Sequence, residues 1–187
     1  AYMCTKDNDG NAVSLIQSNF HGIGSTIGVD DLGFFLHNRG AGFNLIQNHP
    51  NSLKPGRKPL HTLSPTMWSV DGNLDMVIGT RGGRYQPQLL SHFILKILKN
   101  ENLEHAMTSP RWNIDEFGKE SLSEINIEPG IDKKIINDLI KRGHKVNQLS
   151  DLQNSYGPIS AIVNTGESWK ASHDIRVDTA SSIIKEK

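Results

Sequence analysis

Three stretches of the sequence carry residue types suited to chemistry, and each meets a specific physical requirement or fails it. Gly79-Thr80-Arg81-Gly82-Gly83-Arg84 places two adjacent glycines just before a run with helical spacing. Backbone N–H groups in such a turn can be presented to an anion. The stretch is too short for a phosphate-cradling loop and lacks the Lys-Ser/Thr that would follow. It reads either as a small anion cradle or as a tight strand-to-helix turn. Asp7-Asn8-Asp9-Gly10 begins like a calcium loop, but with Gly10 in the sixth position the twelfth falls on Ile16, where a bidentate Glu is required. A hairpin turn is the reading that survives. The eight histidines include no pair at metal-ligand spacing. His61 stands apart, because Lys58-Pro59-Leu60-His61-Thr62-Leu63-Ser64-Pro65 is an unusual polar run between a loop and a strand. No metal site is expected.

The elements that must position these residues follow from patterning. Residues 2–5 form a short extended run, 7–11 a strong turn signal, and 12–18 a run with the β-branched content of a strand. The chain therefore opens with a hairpin whose first strand begins at residue 1. Residues 22–25 read as a flexible loop and 32–37 as a buried strand. From 40 to 65 the composition shifts to Gly, Pro, Asn and His, which predicts a long loop of the kind that is usually functional or disordered. A second hairpin is expected from 67–70 and 76–79 around Asp71-Gly72-Asn73. Leu89, Leu90, Phe93, Ile94, Ile97 and Leu98 recur at helical spacing and predict a helix over 87–99. A second helix over 102–108 stops at Ser109-Pro110. Ile125 and Ile127 suggest a strand, residues 131–142 an amphipathic helix closed by Gly143, and 159–163 and 169–171 two strands. Strands, then helices, then helix and strands point to an α+β class rather than a doubly wound sheet.

Composition narrows the classes. Twenty Lys+Arg balance twenty Asp+Glu over 187 residues, with no block of like charge. A nucleic-acid binder needs a basic stripe to neutralise phosphates, so that class is disfavoured. Mean hydropathy is −0.43, and apolar stretches such as 93–98 fall far short of the roughly 20 residues that cross a bilayer. No membrane span is expected. The single cysteine, Cys4, excludes an internal disulfide framework and a multi-cysteine metal site, and leaves the compartment open. The chain starts Ala1-Tyr2-Met3, with no initiator Met or apolar leader. A fragment or a product of proteolytic processing is the expectation.

Several strings, taken together and in order, change the picture. Asp9-Gly10-Asn11-Ala12-Val13-Ser14, Lys54-Pro55-Gly56-Arg57-Lys58-Pro59-Leu60, Leu63-Ser64-Pro65-Thr66, Gly79-Thr80-Arg81-Gly82-Gly83 and Ala106-Met107-Thr108-Ser109-Pro110-Arg111 occur as in the small subunit of gamma-glutamyltranspeptidases. Ala171-Ser172-His173-Asp174-Ile175-Arg176 looks like that family's Ala-Ser-Asp-Pro-Arg ending. The resemblance spans about residues 2–178. It implies a four-layer αββα N-terminal nucleophile hydrolase sandwich, with residues 1–187 as one autoprocessed small subunit sharing its domain with a large subunit from the same precursor. The activity it implies is glutathione-hydrolase-like acyl transfer or amide hydrolysis. A small-molecule amide would be cleaved through an acyl-enzyme on an N-terminal Thr, without metal or organic cofactor, the freed α-amine serving as base. By the family's spacing that Thr stands immediately before Ala1. Oligomerisation beyond the heterodimer is left open.

Carried over by position, Ser18 matches a hydroxyl residue that hydrogen-bonds the nucleophile, and Gly82 and Gly83 match the glycine pair of the oxyanion hole. His61 and Thr62 occupy the place of a Ser-Ser pair that contacts the donor's carboxylate. The departures are informative. Where relatives read Asn-Gln-x-x-Asp, this chain reads Asn38-Arg39-Gly40-Ala41-Gly42, so the Gln and Asp that bind the donor's α-ammonium are Arg39 and Gly42. Phe20 stands where relatives carry an Asn that contacts the same ammonium. A pocket that has exchanged a carboxylate for a guanidinium should repel an ammonium and favour an anion. The expectation is a carboxylate-terminated amide, of oxamate or glutaryl type, with Asn-Arg-Gly-x-x-Phe more like the oxamate amidohydrolases of the family. The competing readings are an Arg39 turned to solvent or to a partner's carboxylate, and an inactive homologue that binds a small anion.

Overall fold

The computed structural model describes residues 1–114 and 124–184. It opens with the expected hairpin, β1 (Tyr2–Lys6) and β2 (Ala12–Ile16), in a register that sets Tyr2 against Ile16 and Lys6 against Ala12. Asp7 closes the turn with one carboxylate oxygen on the Asn11 N–H and the other on its Nδ2, both at 2.8 Å. The Asp-Asn-Asp-Gly string thus serves the turn. Two short strands follow, β3 (Gly28–Val29) and β4 (Phe34–Phe35). Here the expectation of a buried strand over 32–37 fails: two of its residues are strand, and Leu32, Phe34, Phe35 and Leu36 are exposed. An apolar run signals a wish for burial without saying which surface supplies it.

A single 3-10 turn (Arg39–Gly42) and one isolated bridge between Asn44 and Ser52 are the only regular features from 39 to 65 among the described residues. β5 (Thr66–Val70) and β6 (Asn73–Thr80) pair around Asp71-Gly72, both at positive φ as a two-residue hairpin turn requires. Next come α1 (Gln86–Leu98) and α2 (Leu103–Thr108), the latter capped by the Asn102 side chain on the N–H groups of Glu104 and His105. The chain continues with β7 (Trp112–Ile114), β8 (Glu124–Ile127), α3 (Lys133–Lys141), β9 (Lys145–Gln148), β10 (Ile159–Asn164) and β11 (Trp169–His173).

One antiparallel sheet runs β11-β10-β6-β5. Alternation along β6 and β10 sorts its faces. Met76, Ile78, Ile159, Ala161 and Val163 turn one way and bury Leu90, Phe93, Ile94, Leu103, Ala106 and Met107 of the helices. The opposite face carries the β1–β2 hairpin, which packs on β6 and β10. Gly79 permits that contact, because a Cβ there would overlap the Tyr2 ring. The result is helix, sheet, sheet: three of the four layers expected. A second, smaller core lies under β7-β8-β9, where Ile125 and Ile127 meet Ile136 of α3.

Candidate active site

The open end of the hairpin, the loop at 62–63 and the turn after β6 line one cleft of about 660 Å³. The hairpin ladder does not stop with β1. The Ala1 nitrogen donates to Gln17 O at 2.8 Å and the Gln17 N–H returns to Ala1 O at 2.9 Å. With Tyr2 opposite Ile16 and Ala1 opposite Gln17, the next ladder position before Ala1 falls opposite Ser18. By the pleat, that position shares a face with Tyr2, toward the main sheet.

Beyond Gln17 the chain is bent sharply and held. Ser18 Oγ accepts from the Phe20 N–H at 3.0 Å, which supports Phe20 at φ +82, a conformation unusual for an aromatic residue. Asn38 fixes the next residue from both sides: its Oδ1 accepts from the His21 N–H, and its Nδ2 donates to the carbonyls of His21 and Gly24. Arg39 is buried behind this bend. Its guanidinium donates to Thr62 Oγ1 (3.3 Å) and Ser18 O (3.2 Å), and its central carbon lies 5.4 Å from the Phe20 ring centroid. No carboxylate of the described residues pairs with it.

The facing wall is the turn that joins β6 to α1. Gly82 and Gly83 take φ of +130 and +55, and Tyr85 N–H closes on Gly82 O at 3.0 Å. Among the described residues, no acceptor is bonded to the N–H of Gly82 or of Gly83. Gln86, buried at the start of α1, accepts the Ser64 N–H on Oε1 at 3.0 Å and ties the 62–64 loop to this turn. Among the described residues the cleft lining includes Arg81, Arg84 and His21 but no Asp or Glu. Burial pushes the Tyr2 phenol and the Cys4 thiol up, so both stay protonated at neutral pH and neither supplies a nucleophile. Two free backbone donors in a cationic surround are suited to hold an oxyanion or a carboxylate.

Of the residues singled out from the sequence, Ser18, Phe20, Thr62, Gly82 and Gly83 line this cleft, and Arg39 touches its wall from behind through Ser18, Phe20 and Thr62. His61 is exposed and Gly42 packs against the Leu60 backbone; neither lines the cleft. The sequence reading passed over Gln17, His21, Arg81, Arg84, Tyr85 and Gln86. Arg81 and Arg84 carried a signal, since they flank the glycine pair. Gln17 and His21 reach the cleft only through the bend after β2. No group of three or more His, Cys, Asp or Glu that could hold a metal occurs among the described residues.

The family model described as gamma-glutamyltranspeptidase matches residues 1–184. The chain is 36% identical over 163 residues to the glutathione hydrolase-like YwrD proenzyme of Bacillus subtilis (strain 168). It is 35% identical over 163 residues to the oxamate amidohydrolase proenzyme of Klebsiella pneumoniae subsp. pneumoniae. Each match takes in 87% of this chain and 31% of the relative, so the chain spans about a third of their length. The solved cephalosporin acylase from Bacillus halodurans superposes with a TM-score of 0.87 at 30% identity, over all of this chain and 34% of that one.

Proposed function

The chain belongs to the gamma-glutamyltranspeptidase family and has the N-terminal nucleophile hydrolase fold; from that premise we propose that it forms the catalytic small subunit of an amide acyl transferase or hydrolase. In this reading a Thr hydroxyl immediately before Ala1 attacks the amide carbonyl. Its proton passes by way of the freed α-amine to the departing amine, as the carbon–nitrogen bond breaks and an ester to the Thr remains. Water or an acceptor amine then takes the acyl group, and the hydroxyl regains its proton. Gly82 and Gly83 hold the oxyanion in both tetrahedral intermediates. Each such donor is worth about 3 kcal/mol where its loss has been measured.

The observation that carries the reading is one of register. The ladder position before Ala1 lies opposite Ser18, in the same cleft as two backbone N–H groups that have no acceptor among the described residues. Ser18 Oγ is already an acceptor for the Phe20 N–H, so its own proton is available to a neighbouring oxygen.

The donor we infer carries a terminal carboxylate and no adjacent ammonium. Arg39 is buried behind the wall without an anionic partner among the described residues, and the described lining has two arginines and no acid. Among the described residues an ammonium would find no counter-charge in the lining, whereas a carboxylate would find two lining guanidinium groups and the field of a third behind the wall. The name of the oxamate amidohydrolase relative agrees with this class. A large subunit cut from the same precursor would supply the missing fourth layer. The hairpin's outer face, with exposed Met3, Val13 and Leu15, and the bare Phe34 and Phe35 are surfaces for it to cover.

The test uses the full precursor expressed and allowed to mature. Intact mass and N-terminal sequencing should find a new chain end at a Thr directly before Ala1. Oxamic and glutaric anilides should then be cleaved at least tenfold faster, by kcat/KM, than the γ-glutamyl anilide. A mature chain that begins at Ala1 removes the nucleophile, and a preference for the γ-glutamyl donor removes the role given to Arg39.

A further inference from the structure

We propose that Arg111 is a positioning residue for the Gly82–Gly83 turn, acting through the backbone of Gly157; this rests on reading that turn as the oxyanion cradle. Arg111 lies outside the cleft, just after α2, and is 3% exposed. One arm of its guanidinium, Nη1, donates to two successive carbonyls, Tyr156 O at 2.8 Å and Gly157 O at 2.7 Å. The other, Nη2, reaches Asp174 Oδ2 at 2.5 Å and Met107 O at 3.3 Å. The same Asp174 oxygen accepts the Ile159 N–H at 3.0 Å. The segment 156–159 is thus held at both ends by one ion pair.

What that segment does is back the turn. Gly157 adopts φ +54, and a Cβ on it would overlap Arg81 O and Thr80 Oγ1 and come within 2.7 Å of Leu89 Cδ1. From the other side, a Cβ on Gly82 would lie 3.5 Å from Gly157 Cα and 3.6 Å from its N. Two backbones therefore meet with no side chain between them. Thr80 Oγ1 lies 2.8 Å from Arg81 O and 3.2 Å from Pro158 O, so its single proton is shared between the two carbonyls across the same contact. The Arg81 carbonyl, which shares a peptide plane with the Gly82 N–H, cannot retreat while Gly157 stays, and Gly157 stays because Arg111 grips its carbonyl. Oxyanion donors act only when aimed in advance, and a misplacement of about 1 Å can cost on the order of 100-fold in rate. A planar fork with fixed donor directions suits this task, whereas a lysine offers a point charge on a flexible stem.

The experiment compares the mature two-subunit enzyme with Arg111→Lys and Gly157→Ala. Arg111→Lys keeps a cation beside Asp174 and gives up the grip on two carbonyls. Gly157→Ala leaves the ion pair intact and pushes on Arg81 directly, so it decides the matter if the lysine variant fails to fold. For an amide that the wild type cleaves, each folded variant should lose 10- to 100-fold in kcat, with KM within about twofold. Labelling of the N-terminal nucleophile by an electrophilic donor analogue, read by intact mass, should stay near one per chain. A merely structural role would lower active-site labelling and kcat together; that result, or an unchanged kcat in a folded variant, overturns the proposal. A wild type that forms no acyl-enzyme with any amide overturns the cradle reading itself, and this inference with it.

Discussion

Arg39 and Arg111 are buried to a similar degree, 6% and 3% exposed, in very different electrostatic company. Arg111 belongs to a knot with Glu128, Asp174 and Arg176, in which two cations meet two anions and the formal charge sums to zero. Glu128 accepts from the N–H groups of Arg111 and Gln153, both at 2.8 Å, and from two arms of Arg176. Arg176 also reaches Asp174 Oδ1 at 3.1 Å and the carbonyls of Met107 and Ser109. Among the described residues the Arg39 guanidinium has only a hydroxyl, a carbonyl and an aromatic face. A buried charge whose field is already neutralised holds the fold, and one whose field is open can hold a ligand. Partner availability, more than burial, separates the two roles.

The sharpest way to break this contrast is to remove an anion from the knot. Glu128→Ala leaves Arg176 buried with one of its two anionic partners gone, and should destabilise the chain by about 3–5 kcal/mol. Denaturant unfolding of the mature enzyme measures it. A loss below 1 kcal/mol would mean that the knot is dispensable and that Arg39 and Arg111 differ in nothing that matters for folding. Glu128 is chosen because it joins the end of β8 to the Gln153 loop and the C-terminal segment, so no single neighbour can compensate.

The matching change on the other side is Arg39→Gln. It should cost little stability, since the lost bonds are long ones to neutral groups. The expected loss is in kcat/KM for a carboxylate-terminated amide, by about 10- to 100-fold, the worth of a charge-assisted contact. The same amide ended in a neutral group should lose far less. If stability falls as far as in the Glu128 variant, Arg39 is part of the scaffold and the contrast disappears.

How far these regions are legible without coordinates differs for physical reasons. The first hairpin, α1 and β10 show in the sequence because their spacing and turn residues agree with their packing. β7 and β9 do not: Trp-Asn-Ile is too short to set a period and buries its Asn while exposing its Trp, Lys-Val-Asn-Gln has a single apolar residue, and both are strands because β8 lies between them and pairs with both. The knot is invisible for a similar reason, being assembled from positions 111, 128, 174 and 176, which no local pattern connects. Resemblance marks Gly82, Gly83, Ser18 and Thr62, and the fold brings all four to one cleft. It could not say that His61 is exposed and off the cleft lining, because the exposure of a loop residue is set by what packs beside it. Arg81 and Arg84 became cleft residues only once the turn conformation was known.

A pH measurement sharpens the same comparison at smaller scale. His92 stacks on Trp112, with ring centroids 4.4 Å apart, and its Nδ1 is buried without a partner in the described structure. Burial first, then the charges of Arg111 and Lys96, push its pKa down to about 4. In the unfolded chain the imidazole titrates near 6.5, so below that pH the unfolded state binds the proton that the folded state refuses. Stability contributed by the neutral ring is present above about pH 6.5. It is lost on acidification by about 1.4 kcal/mol per pH unit until the folded pKa is reached. The difference between wild type and His92→Phe, followed by thermal or denaturant unfolding from pH 7 to 4.5, isolates this slope. A flat difference would show that the balanced knot tolerates a third cation at its edge.

The smallest effect is expected at Phe20, and it tests whether the open arginine needs its aromatic lid. Phe20→Asn places at φ +82 a residue that accepts left-handed backbone readily, so the strain held by Ser18 and Asn38 is relieved. Stability should therefore shift by less than about 1 kcal/mol, the lost ring contact with Arg39 offsetting the relief. The guanidinium meanwhile loses its cover on the cleft side and gains a side-chain carbonyl that also accepts from ammonium groups. Discrimination between a carboxylate-terminated and an ammonium-bearing donor should narrow by about two- to fivefold, an energy on the scale of one exposed cation–π contact. Competition between the two anilides in a single assay reads that ratio directly. A wider ratio would mean that the ring, and not Arg39, admits the ammonium-bearing donor, and the selectivity would then belong to the shape of the bend and not to its charge.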